Sequence, residues 1–234
     1  ETVAAHDIFW AALRDELLRR GVEAPQRLSR DHDPWSHWRS PDLILSQTCG
    51  LPFRSELHEI VKLVGTPDYG LANSPPGHYF SVLVCRADDP TEDPANAPEA
   101  VMAVNDYRSQ SGWAAPLERL EKRPPLIRLT GSHLASARLV AEGAADWAAI
   151  DAVSWQGMNG SPETADRLRV FARTRPTPGL PLITSGQRDP EPIAEAVQTA
   201  LQELDEQILT GLGIRSLIRI PKEDYFSLPT PPAC

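Results

Sequence analysis

Apolar residues recur at helical spacing along the first twenty positions, at Val3, Ile8, Phe9, Ala12, Leu13 and Leu17, with charged residues between them. This predicts a helix over 3–20 that Gly21 stops. A short strand is expected around Gln26–Leu28. Asp33-Pro34 opens a brief helix bearing Trp35 and Trp38, with Asp as N-cap and Pro at the first position. Continuous apolar runs follow at Asp42–Ser46 and Ile60–Val64, each with the character of a buried parallel strand. Gly70–Gly77 is a turn-rich loop, and His78–Cys85 an aromatic and β-branched strand. Residues 87–100, rich in acids and prolines, read as an exposed excursion.

The second half repeats the alternation. Val101–Val104 is a short strand, cut off by Asn105 and Asp106, and a helix-compatible run spans Trp113–Lys122. Leu126–Leu129 is a strand leading to Thr130-Gly-Ser-His133, with a helix from there to Gly143. Trp147–Ile150 is a strand ending in Asp151; Leu168–Phe171 and Leu182–Thr184 are two more. Pro190–Leu212 reads as one long amphipathic helix, with Ile193, Val197, Leu201, Leu204 and Ile208 on one face, before an extended tail at Pro229–Cys234. Repeated β–α alternation predicts an α/β protein of two lobes. The expected division is 1–82 plus 185–234 for lobe one and 83–184 for lobe two. Hinge crossovers are expected near 81–84 and 182–184.

Composition narrows the chemistry. The 234 residues carry 23 Lys and Arg against 32 Asp and Glu, a formal charge of −9. Nothing basic enough for nucleic acid or an anionic membrane is present, so an anionic ligand needs local dipoles and donors. No apolar run approaches the length of a membrane span, and no signal peptide is visible. Residue 1 is Glu, almost at a helix start, so the chain is expected to be less than the whole translated product. Cys49, Cys85 and Cys234 form no disulfide framework. Asp31, His32, Asp33 and His37 match no metal-site spacing, and the neighbouring Trp residues favour a packed helix.

The chemistry concentrates where strands end. After Val104 come Ser109, Ser111 and Gly112 and then a helix start, whose unpaired N–H groups and macrodipole favour an anion. The hydroxyls add donors. Capping is the competing use of either serine. Gln47, Thr48 and Cys49 stand at the end of another run, on the edge where open α/β sheets bind ligands.

Five motifs in order resemble one family: Asp42–Gly50 with its Gln-Thr-Cys-Gly ending, Tyr79-Phe-Ser81, Asn105 with Ser109-Gln-Ser-Gly112, Thr130–Ser136 and Ala148–Asp151. They are similar to the phosphate/phosphonate-type substrate-binding proteins of ABC transporters, over about residues 3–215. The resemblance implies a type II periplasmic-binding-protein fold, with a ligand cleft between lobes and a further strand before the opening helix. It implies a small oxyanion ligand of the phosphonate, phosphate or phosphite class, no cofactor, and a membrane permease as partner for a monomeric binding protein. Ser109, Ser111 and Gly112 would hold oxyanion oxygens, joined by Thr130, Ser132 and His133. Asp151 would face a ligand proton or ammonium group. Gln47, Thr48, Cys49 and Tyr79 would contribute from lobe one. A periplasmic location follows from the resemblance, with the cytoplasm as alternative.

Two other functions share this fold. One is an enzyme using Cys49 as nucleophile and His133 as base, for which a small residue filling a turn is the plainer reading of Cys49. The other is the effector lobe pair of a regulator, although nothing resembles a helix-turn-helix. Asn159-Gly-Ser161 fits a glycosylation acceptor on paper and reads as a loop.

Overall fold

The computed structural model describes residues 2–30, 33–120, 124, 126–158 and 166–232. Asp31, His32, Asn159–Ser161 and Cys234 lie outside them. In chain order the principal elements are helix α1 (Thr2–Arg19), helix α2 (Pro34–Trp38), strand β1 (Ser46–Gln47), strand β2 (Val61–Asp68), strand β3 (Ser81–Arg86) and strand β4 (Val101–Val104). They continue with strand β5 (Leu126–Leu129), helix α3 (His133–Ala141), strand β6 (Trp147–Asp151), helix α4 (Ala152–Met158) and strand β7 (Leu168–Arg173). Strand β8 (Leu182–Ser185), helix α5 (Pro190–Glu203), helix α6 (Glu206–Leu212), strand β9 (Ser216–Ile218) and a last helical turn, Lys222–Phe226, complete the set. The chain divides into two compact units, Glu1–Ala72 with Pro178–Tyr225, and Asn73–Thr177 with Phe226–Cys234.

These boundaries differ from the expected 82/83 and 184/185. Ser81–Arg86 is hydrogen-bonded on both sides inside the second unit's sheet, and Leu182–Ser185 on both sides inside the first unit's. The segments expected as hinges are therefore sheet strands, and the chain passes between units ten residues earlier in the first case and seven in the second.

The first unit's sheet has the order β1-β8-β2-β9, and every described pairing in it is antiparallel. The apolar runs at 42–46 and 60–64 were expected as parallel strands. A continuous apolar run reports burial on both faces, and burial alone does not fix the direction of the partner. Trp10, Leu13 and Leu17 of α1 pack with Ile193, Val197 and Leu201 of α5 over Val64 and Leu217 of the sheet. Gly65 permits this contact, since a Cβ there would stand 2.6 Å from the Leu217 side chain. Between the helices and the sheet an apolar cavity of about 190 Å³ remains, lined by Phe9, Trp10, Leu13, Leu45, Leu182 and Leu217 among others. A second cluster joins Leu43, Phe53, Leu57, Val61, Ile183, Ile220 and Tyr225. The fully buried Tyr225 hydroxyl bonds Thr66 Oγ1 at 2.7 Å and donates to the Gly179 carbonyl at 3.2 Å; burial holds its ionisation well above the usual phenol range.

Several helix ends are as the sequence predicts. Gly21 ends α1 at φ +74°, and the Asp33 carboxylate caps α2 by accepting from the Ser36 N–H. Three expectations change. Gln26–Leu28 forms no strand. The expected helix 190–212 is two helices, because Leu204 is extended (φ −79°, ψ 142°) and Asp205 restarts the chain as α6. The long run β2 also carries through Gly65-Thr66-Pro67 to Asp68, with Gly65 paired to Leu182 of β8 and Thr66, Pro67 and Asp68 paired to β9.

The second unit's sheet has the order β5-β4-β6-β3-β7. Strand β4 is parallel to both β5 and β6, while β3 runs antiparallel to β6 and β7. Met102, Val104, Leu83, Trp113 and Trp147 fill its core. The consequence for function is simple: the parallel strands β5, β4 and β6 all end at one edge, where Thr130, Asn105 and Asp151 begin the turns into the following helices.

Candidate functional site

The central turn starts where β4 meets Asn105. Asp106 accepts from the Arg108 N–H at 2.8 Å, and the Ser109 N–H returns to the Asp106 carbonyl at 3.0 Å. Ser109 is the N-cap of the helical turn Gln110–Ala114: its hydroxyl accepts from the Gly112 N–H at 2.9 Å. The fully buried Trp113 anchors the turn, edge-on to Tyr107 at 5.1 Å between ring centroids. Ser111 is pinned from the sheet, because Ser81 Oγ donates to its carbonyl at 2.9 Å.

The neighbouring turn after β5 is tied to the end of β4. The Thr130 N–H bonds the Val104 carbonyl at 2.9 Å, and the Gly131 N–H bonds the Asn105 carbonyl at 3.0 Å. Ser132 is the N-cap of α3, its hydroxyl accepting from the Ala135 N–H at 3.1 Å. His133 is therefore the first residue of that helix, and its ring turns towards the central turn. His133 Nε2 lies 2.9 Å from Ser111 Oγ and 3.4 Å from Asp151 Oδ2. Asp151 ends β6; its Oδ1 accepts from the Ser154 N–H at 2.8 Å, so the carboxylate caps α4 with one oxygen and meets the imidazole with the other. Ser109, Ser111 and Asp151 are each no more than 6 % exposed.

Burial holds His133 below the ordinary imidazole range, while the Asp151 charge and the Ala149 backbone carbonyl pull the other way. Buried and without a hydrogen bond at this site are His133 Nδ1 and, over Gly112, Asn105 Oδ1. The Asn105 amide lies directly over Gly112, so that a Cβ on Gly112 would overlap it and also press the His133 ring. Gly112 is thus required for close approach. Its N–H, expected as an oxyanion donor, is already given to Ser109.

The structure brings Ser109, Ser111, Gly112, His133 and Asp151 together in one unit. Thr130 Oγ1 bonds Ser136 Oγ at 2.7 Å and the Val104 carbonyl at 3.2 Å, so it braces the turn. Tyr79 also belongs to the second unit, where it is buried. Gln47, Thr48 and Cys49 stand in the first unit at the end of β1. The Gln47 amide donates to Tyr69 Oη at 2.9 Å and to the Leu180 carbonyl at 3.2 Å. The Thr48 N–H bonds the Pro181 carbonyl, while its buried hydroxyl makes no hydrogen bond. Cys49 precedes the helical turn Gly50–Pro52. Asn105 and Ser81 were not among the residues singled out for the site. Both fall inside motifs that carry the family resemblance, Ser81 in Tyr79-Phe-Ser81 and Asn105 ahead of Ser109-Gln-Ser-Gly112, without a role assigned to either. Among the described residues no group of three or more His, Cys, Asp or Glu could hold a metal ion, and no helix is long and apolar enough to cross a membrane.

This two-unit α/β architecture is that of the periplasmic-binding-protein fold, and solved structures share it. A PhnD1 from Prochlorococcus marinus in complex with methylphosphonate is 18 % identical, with a TM-score of 0.69 over 96 % of this chain and 91 % of that one. XAC2383 from Xanthomonas citri, bound to ATP, is 17 % identical, with a TM-score of 0.69 over 94 % and 90 %. A binding-protein component of an ABC phosphonate transporter from Pseudomonas aeruginosa is 17 % identical, with a TM-score of 0.62 over 90 % and 75 %. No curated protein matches the sequence. Residues 59–225 match the family model described as "ABC transporter, phosphonate, periplasmic substrate-binding protein". The chain belongs to that family. It is accordingly a substrate-binding protein, and the enzyme reading built on Cys49 and His133 is set aside.

Proposed function

We propose that the protein captures a small tetrahedral oxyanion of the phosphonate, phosphite or phosphate class and delivers it to an ABC-type uptake system, acting as a periplasmic monomer. The observation that carries this reading is the meeting of Ser111 Oγ, His133 Nε2 and Asp151 Oδ2 at the shared edge of three parallel strands. Hydroxyl and imidazole donors suit oxyanion oxygens, and helix starts favour negative charge. In this reading the hydroxyls of Ser109 and Ser111, with His133, hold the anionic head, and Gly112 keeps the turn tight enough to reach it. Thr130 and Ser132 shape the second turn. Asp151, an acceptor when ionised, suits a protonated oxygen or an ammonium group on the ligand. Tyr79 and the Gln47-Thr48-Cys49 segment are candidates for the rest of the ligand, on the strength of the family resemblance.

The test is a thermal-shift screen with phosphate, phosphite, alkyl- and aminoalkylphosphonates, and sulfonates. A ligand at about 100 times its dissociation constant stabilises the fold by about 2.7 kcal/mol. One class should raise the melting temperature, and Ser111→Ala should remove most of that rise. No shift with any tetrahedral anion would sink the proposal.

A further inference from the structure

The arrangement around His133 says something about the charge state in which the anion is taken up. Nε2 faces two oxygens, Ser111 Oγ and Asp151 Oδ2. The Ser111 hydroxyl can donate or accept, but an ionised carboxylate only accepts, so the Asp151 oxygen favours the neutral ring that carries its proton on Nε2. That leaves Nδ1 as a buried base with no hydrogen bond.

We infer that anion capture is proton-coupled: as the oxyanion docks beside Ser111, His133 takes one proton from solvent onto Nδ1 and becomes a cation between the ligand and Asp151. This rests on the oxyanion reading above. The balance of forces supports it. Burial is the largest influence on the empty ring and keeps it neutral, while Asp151 and the Ala149 carbonyl pull towards the charged form. A second negative charge against the same ring adds to the side already favouring protonation. For a ligand that brings no proton or ammonium group to Asp151, a neutral ring would leave two buried anions repelling each other.

Among the described residues, nothing else nearby competes for the role. Strand β4 and helix α4, both packed on α3, have no ionisable side chain. On β3, Arg86 pairs with Asp88, and Cys85 is buried with its thiol pushed up by burial. On β7, Arg169 reaches the Asp89 and Thr91 carbonyls and Arg173 lies over the Phe80 ring. Asp106 and Arg108 on the central turn pair with each other. Asp151 is the one titratable group shown against the imidazole.

The experiment is calorimetry at pH 8 with methylphosphonate and with inorganic phosphate, each in two buffers of very different ionisation heat. The expected result is uptake of about one proton per anion bound, and an apparent affinity that falls about tenfold for each further pH unit. Uptake should vanish in His133→Asn; if it persists there, the ligand carries the proton and the inference is wrong. A nitrogen-detected NMR spectrum of the wild-type ring needs no variant. Saturating anion should convert a neutral Nε2–H pattern into a doubly protonated one, and an unchanged neutral pattern overturns the inference. Binding without proton uptake strikes only this inference. Absence of binding by every oxyanion removes the functional reading and this one with it.

Discussion

At the level of single residues, the site depends on contacts too close to allow addition of even one methyl group. Gly112→Ala would push the Asn105 amide and the His133 ring apart. Overpacking of this kind costs about 1–3 kcal/mol. Chemical denaturation should read a loss in that range, and the same variant should lose the ligand-induced thermal shift. His133 supplies a second prediction, with a definite sign. Its folded-state basicity is depressed, so below about pH 6.5 the unfolded chain binds a proton that the folded chain does not. Stability carried by the neutral ring is present above that pH and is lost as pH falls towards the folded-state value. In the absence of ligand, the stability of wild type relative to His133→Asn should therefore decline between about pH 7 and pH 5. A pH-independent difference would contradict it. Ser109 and Ser111 stand where an apolar run breaks, while His133 and Asp151 were joined to them by the family resemblance. The use of each hydroxyl was not legible in the sequence. Whether Ser132 or Thr130 caps, braces or donates depends on which N–H or hydroxyl lies within 3 Å, and that is decided by tertiary packing.

Among the elements, those with strong periodicity and a chemical stop signal were readable. Helix α1 ends at Gly21, α2 begins at Asp33-Pro34, and β4, β5, β6 and α3 fall where their patterns place them. Two things were not readable. Strand direction in the first unit is antiparallel throughout its described pairings, because direction is set by which segment becomes the neighbour. The break between α5 and α6 is hidden in the sequence because apolar residues keep their spacing through Leu204 and Ile208. Those helices allow a paired test of capping. Asp189 accepts the Glu191 N–H at 3.1 Å, whereas Asp205 makes no side-chain capping bond. Asp189→Ala should cost about 1 kcal/mol, a typical N-cap loss, and Asp205→Ala clearly less. Equal losses in urea titrations would show that Asp205 holds the break by another contact.

For the molecule as a whole, the question is how a chain of charge −9 holds an anion at all. The net charge offers no overall attraction, so at the proposed site the attraction is local: hydroxyl donors, an imidazole and helix starts, at positions largely withdrawn from solvent. Such interactions are screened far less than exposed ion pairs, for which the Debye length falls to about 10 Å at 0.1 M salt. The remaining acidic surface repels the ligand, and that repulsion is what salt does screen. Affinity for methylphosphonate should therefore hold steady or rise modestly when sodium gluconate is raised from about 20 to about 200 mM. Binding carried by exposed Arg or Lys would instead weaken steeply over the same range. Calorimetric titrations at the two salt concentrations separate these cases. A fall of about tenfold would move the anion's principal contacts away from Ser111, His133 and Asp151 to surface cations.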